Sequence, residues 1–247
     1  MRIAHVFPVL VFAVVALCGA EPTDRVHESF AAASDVSIRI ENVSGRILVR
    51  PSNGNTVDIT AVKRALDPDA LANIRIEISK DGDPVTSVSV RTRFEHHANK
   101  AESVEYTVTA PRRAKLRLSN VSGDVTADGF SSDVRVNTVS GDVHVTDTDG
   151  NIKINTVNGS IIASLLHMGD SRSAALHTVN GSIDLSVPKN SSASVRANSI
   201  AGKFHSDFPL TATSQIVGTQ VRGSIGDGSG SIDLASVDGS LTLSSQR

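Results

Sequence analysis

From residue 121 onward, apolar and polar positions alternate in short runs that return at a nearly fixed interval. Residues 121–125 read VSGDV, and 139–143 read VSGDV again. VNGSI follows at 157–161 and 179–183, then IAGKF at 200–204, VRGSI at 221–225 and VDGSL at 237–241. An outlying copy, VSGRI, occupies 43–47. From residue 121 the copies advance by 18, 18, 22, 21, 21 and 16 residues. All eight align on one glycine: Gly45, Gly123, Gly141, Gly159, Gly181, Gly202, Gly223 and Gly239. Two positions before it stands Val or Ile, and two positions after it Val, Ile, Phe or Leu. Ser, Asn or Asp before Gly is turn chemistry, and Gly enters positive φ without steric cost. These glycines are therefore expected to be structural.

Between the glycines, apolar residues alternate with polar ones. Val134 and Val136 flank Arg135, Val143 and Val145 flank His144, and Ile152 and Ile154 flank Lys153. Such alternation predicts strands with one buried and one wet face. Each unit reads as strand, turn, strand, corner. Antiparallel hairpins in a β-meander would use the same turns. The near-constant period favours an all-β, single-stranded β-solenoid (β-helix) with coils of roughly 16–22 residues stacked in parallel. Thr138, Thr156 and Thr178, with Ser199 and Ser236, share one column that is expected to hydrogen-bond along the stack.

Residues 35–118 read as less regular strands that open and cap the solenoid. Val36, Ile38 and Ile40 alternate, as do Val57, Ile59 and Ala61, and Ile74, Ile76 and Ile78. Val85–Val90 and Val104–Val108 are further strands. Asp67 followed by Pro68 predicts a helix start of one to two turns. The expected division is a leader over 1–20, a linker over 21–34, the irregular segment over 35–118 and regular repeats over 119–247. The closing LTLSSQR offers no capping helix, so weak self-association through the solenoid ends is expected.

The first residues are a different material. Arg2 precedes an apolar run from Val6 to Leu17, and Cys18, Gly19 and Ala20 supply small residues for cleavage. This is the pattern of a secretory signal peptide, too short for a membrane span. Export to the periplasm or cell surface is expected. Lipidation at Cys18 is the lesser alternative, because Leu17 stands where a lipoprotein signal has a small residue. Cys18 is the only cysteine, so cleavage after Ala20 removes disulfide, thiol and Cys–zinc chemistry by count. The formal net charge of −2 gives no bulk case for nucleic acid. There is no Trp and one Tyr, so few rings are available for sugar stacking.

The leader, the irregular β segment and the VSGDV/VNGSI units together resemble a bacterial β-strand-repeat family of unknown function labelled "putative adhesin". The segment Tyr106–Asp124 (YTVTAPRRAKLRLSNVSGD) also looks like that family, with a strand leading through Pro into the first regular repeat. The resemblance spans roughly residues 35–245. It implies a β-solenoid outside the cytoplasm and names no catalytic residue.

No cluster of side chains argues for catalysis, a cofactor or a metal. Asp124 and Asp142 follow turn glycines, with Asp128, Asp147 and Asp149 nearby, but the glycine-rich calcium nonapeptide is absent. They read as solvated turn acids. His144 is expected to point outward, and His96 and His97 lie in a polar loop. Arg112, Arg113, Lys115 and Arg117 form a basic cluster whose simplest reading is a charged strand that discourages edge aggregation; binding of an anionic surface polymer is the sharper one. Four of five glycosylation sequons (Asn42, Asn120, Asn158, Asn180 and Asn190) fall in the repeat turn and follow from its chemistry. The expectation is a non-enzymatic, adhesin-like exported protein whose partner is a cell-envelope polymer or protein and not nucleic acid. An envelope-stress accessory or scaffold protein and a glycan-active β-helix enzyme are the alternatives. A glycan-active enzyme would need paired carboxylates in a walled groove.

Overall fold

The computed structural model describes residues 22–95, 102–210, 212–214 and 218–246. The leader, Cys18, His96 and His97 lie outside the described residues.

The chain is an all-β solenoid with two strand faces per coil. It begins with a long strand, β1 (Thr23–Glu41), then β2 (Ile47–Ser52) and β3 (Thr56–Arg64). The one described helix, α1 (Pro68–Ala72), is capped by Asp67, whose side chain accepts the Ala70 N–H at 2.7 Å. Then come β4 (Ile74–Gly82), β5 (Val85–Phe94) and β6 (Ser103–Pro111). Regular coils follow as strand pairs: β7 (Lys115–Ser122) with β8 (Val125–Asp128), and β9 (Val134–Ser140) with β10 (Val143–Thr148). The next pairs are β11 (Ile152–Asn155) with β12 (Ile161–Leu165), and β13 (Ser173–His177) with β14 (Ile183–Pro188). In each coil the two strands meet at the glycine corner.

Strands of successive regular coils pair in parallel and in register, apart from a shift between Val145 and Thr148 where β10 meets β12. On one face Val125 pairs with Val143, Val143 with Ile161, and Ile161 with Ile183. On the other, Leu116 pairs with Val134, Val134 with Ile152, and Ile152 with Ala174. The inward residues of both faces form one aliphatic core, fully buried at Val136, Val145, Ile154 and Leu185. Each such side chain contributes about 1.5–3 kcal/mol by leaving water.

Two parts depart from the sequence expectation. Residues 23–34, expected as a linker, belong to β1. The first half of β1 pairs antiparallel with β3, from Thr23↔Arg64 to Ala31↔Thr56, and its second half enters the opposite face between β5 and β7. The apolar signal there is weak because this half-strand lies at the stack's edge, with its outward residues exposed.

The second departure is at the far end. After β14 the chain forms β15 (Ala193–Ser199) and β16 (Phe204–Ser206), then β17 (Ala212–Ser214) and β18 (Thr219–Ile225). It finishes with β19 (Gly230–Ser236) and β20 (Leu241–Gln246). The last coil is not the last layer. β19 lies between β13 and β15, parallel to both, and β20 lies between β14 and β16. The expected open end at LTLSSQR is thus an interior layer, because Ile232, Leu234, Leu241 and Leu243 find a ladder on each side. The physical end is formed by β16 and by the antiparallel pair β17–β18 lying against β15.

Candidate binding surfaces

The corner is built from a column of stacked glycines and the side-chain columns before and after it. A Cβ on Gly123 would lie 2.5 Å from the Gly45 carbonyl oxygen, and the same clash repeats from each glycine to its neighbour up to Gly202 on Gly239. Close backbone approach therefore selects glycine throughout the column, and positive φ adds to it at members such as Gly123 (+118°) and Gly141 (+135°) but not at Gly159 or Gly202. In space the column runs Gly45, Gly123, Gly141, Gly159, Gly181, Gly239, Gly202. Gly223 is not in it: it sits inside β18, antiparallel to β15 and opposite Val195. The VRGSI motif there is a hairpin strand whose letters match the turn.

Three positions before each glycine, a buried polar side chain seals the corner. Thr178 donates to the Gly159 carbonyl (2.9 Å), Ser236 to Gly181 (3.1 Å) and Ser199 to Gly239 (3.0 Å). Asn120 and Asn42 play the same part at the first coils. These bonds run along the stack, from a hydroxyl to the glycine carbonyl of the adjacent coil. Thr138 and Thr156 are buried in the same column without a partner.

Directly after the glycine, Asp124 accepts the Asp142 N–H (3.0 Å) and Asp142 accepts the Ser160 N–H (2.8 Å). Asp128 accepts from Thr146, and Asp149 faces His167 and Arg172. These acids are engaged one by one with neighbours. Among the described residues no group of three His, Cys, Asp or Glu is placed to hold a metal ion. His177 faces Asp233 at 3.5 Å. His144 is half-buried and points out between buried Val143 and Val145.

Few groups have perturbed acidity. Glu41 is held below the usual carboxylate range, chiefly by its hydrogen bond from Arg91. Asp227 is lowered by the Ser192 hydroxyl and by Ser229. Tyr106 is pushed up to about 12 by burial. Its hydroxyl belongs to a buried network with Thr92 and Asn42.

Two surfaces stand out. The first is an apolar ridge beside the glycine column. Val121, Val139, Val157, Val179, Val237 and Ile200, in stack order, are between 39% (Val157) and 57% (Ile200) exposed. The sequence shows this column as invariantly β-branched but not that it faces out. At its Ile200 end a cleft of about 350 Å³ is lined by Thr178, Ser199, Thr219 and Val237, among others. The second is a line of cations on the β7–β9–β11 face: Arg117, Arg135 and Lys153 stand in register with Arg39 of β1.

Parallel coils, a stacked glycine corner and long flat faces define a repeat-built β-solenoid. The Toastrack DUF4097 family profile matches residues 32–244, and the chain belongs to that family. No curated protein matches it. A "putative cell adhesion protein" of Clostridium sporogenes is similar in structure, with a TM-score of 0.53 and 9% identity over 90% of this chain and 100% of that one. A "putative adhesin" of Bacteroides fragilis aligns at 16% identity and a TM-score of 0.41, over 90% of this chain and 97% of that one.

Proposed function

We propose that this protein is a non-catalytic, exported β-solenoid that binds a cell-envelope or surface ligand in the manner of an adhesin. The observation that supports it is repetition on the outside. The same side chain recurs at the same place in coil after coil, about 4.8 Å apart. Such an array fits a ligand that is itself long and repetitive. Adhesion names among the structural neighbours point the same way, and the leader-like residues 1–20 support export.

The test is binding of residues 21–247 to isolated peptidoglycan and surface polysaccharide, with product analysis on the same samples. Saturable binding without degradation is expected. Released fragments would overturn the non-enzymatic reading.

The apolar ridge favours a second reading, an envelope scaffold that binds another protein. Contiguous exposed apolar patches on soluble proteins mark interaction sites. If V139S/V157S/V179S abolishes envelope association while polymer binding persists, the scaffold reading gains and the adhesin-like one is secondary.

A further inference from the structure

The line of cations lacks an internal explanation. Arg39 is in register with Arg117, Arg117 with Arg135, and Arg135 with Lys153, on four adjacent parallel strands. At about 4.8 Å per strand the line is about 14 Å long. Arg39, Lys115, Arg117 and Arg135 also line a shallow depression of about 250 Å³ that contains one acid, Asp133. All five cationic side chains are exposed. Arg39 has Glu41 at 3.7 Å, but Glu41 is held more closely by Arg91, at 2.7 Å. The Asp133 carboxylate accepts from Asn151. Among the described residues, Lys115, Arg117, Arg135 and Lys153 have no ion pair or side-chain hydrogen bond.

Like charges directly opposite one another on neighbouring strands destabilise a sheet. Edge protection does not account for them, because β7, β9 and β11 are each paired on both sides. Overall charge does not either, since the chain is formally at −2. The missing anions come from outside.

We propose that this line binds a linear anionic glycan laid along the solenoid axis, with a carboxylate repeating at about the step of one coil. The proposal rests on the surface-binding reading above and names its ligand class. Arg forks and Lys ammonium groups pair with carboxylates by charge-assisted hydrogen bonds. A polymer gripped by its charges needs no aromatic platform, and the outward positions of β1, β7, β9 and β11 on this face carry no ring. That absence disfavours single-stranded nucleic acid, which is held largely by base stacking. A flat sheet face also offers nothing shaped for a duplex groove.

The probe is polygalacturonate, titrated against residues 21–247 over a range of salt, with neutral dextran and duplex DNA alongside. Three forms are compared: the unaltered protein, R117S/R135S/K153S, and a charge-matched control, R50S/K189S/K203S, altered at exposed cations outside this row. The unaltered protein and the control are expected to bind polygalacturonate, dextran not to be bound, and the column variant to lose about tenfold or more, with a salt slope shallower by about one per cation removed. Equal loss in both variants, tighter binding to DNA, or no polygalacturonate binding by the unaltered protein would each overturn the proposal. In the last case, retained binding to isolated envelope fractions would leave the broader surface-binding reading standing. Thermal unfolding of both variants guards against misfolding; the column variant should be no less stable, since it removes facing like charges.

Discussion

The Thr92 hydroxyl lies 2.8 Å from the Tyr106 hydroxyl and 2.9 Å from the Asn42 side-chain oxygen. Thr92 has one proton, and Asn42 Oδ1 takes it. Tyr106 must therefore donate to Thr92. The bond needs the phenol in its neutral form, and burial raises its pKa from the ordinary 10.0 to about 12.

The sign of the pH dependence follows. Below pH 10 both folded and unfolded chains hold the proton, and stability is unaffected. Between about 10 and 12 the unfolded chain ionises first, so stability falls, by on the order of 2–3 kcal/mol over that window. Tyr106 is the only tyrosine, so ultraviolet absorbance reports phenolate from this residue alone. A folded-state midpoint well above that in denaturant is expected. Coincident midpoints would show that the hydroxyl reaches water.

Two glycines that look alike in sequence should behave differently. Gly141→Ala places a Cβ against the Gly123 carbonyl at a φ of +135°. Strain of this kind costs on the order of 1–3 kcal/mol before any clash is relieved. Gly223→Ala would meet only the end of the Leu210 side chain, at 2.8 Å, which can turn away. A loss within about 1 kcal/mol is expected there. Denaturant titration of both variants checks the contrast, and equal losses would place Gly223 back in the corner.

That contrast shows what the sequence can and cannot disclose. Period-2 alternation at Val134, Val136, Val143 and Val145 specifies inward faces, because burial on a pleated strand is a local property. The helix start at Asp67–Pro68 was legible for the same reason. Stack order is not local. VRGSI and VDGSL differ in one residue of turn chemistry, yet the first lies in an antiparallel hairpin and the second in an interior coil. The choice is made by long-range ladders from β19 and β20, which no short window contains. The cation line was half legible: Lys115 and Arg117 alternate with apolar residues in one strand. The alignment of Arg117 with Arg39, 78 positions earlier, depends on register across coils.

The buried hydroxyl column separates bonded from unbonded members. Thr178→Val removes a 2.9 Å bond and leaves the Gly159 carbonyl without that donor. A cost of about 1 kcal/mol or more is expected. Thr138→Val removes a buried hydroxyl that has no partner. With no bond to lose, the change should be neutral or stabilising. Unfolding free energies from the two variants measure the difference. Equal destabilisation would mean that Thr138 is bonded after all.

The interior position of the last coil makes the chain's end a structural keystone. Removing residues 230–247 strips β15 of its parallel partner and leaves β13 and β14 with open edges. β15 would keep only its antiparallel pairing with β18, and β16 would have none of its observed partners. A simple end layer would fray without consequence, since solenoid coils depend on nearest neighbours. Here two neighbours lose support at once, on both faces. Amide hydrogen exchange on the truncated chain is expected to show protection lost across 193–206 and weakened at 173–177 and 183–188, while β7–β10 remain protected. Retained protection in β15 and β16 would mean that they close directly onto β13 and β14, and that the inserted coil is dispensable to the stack.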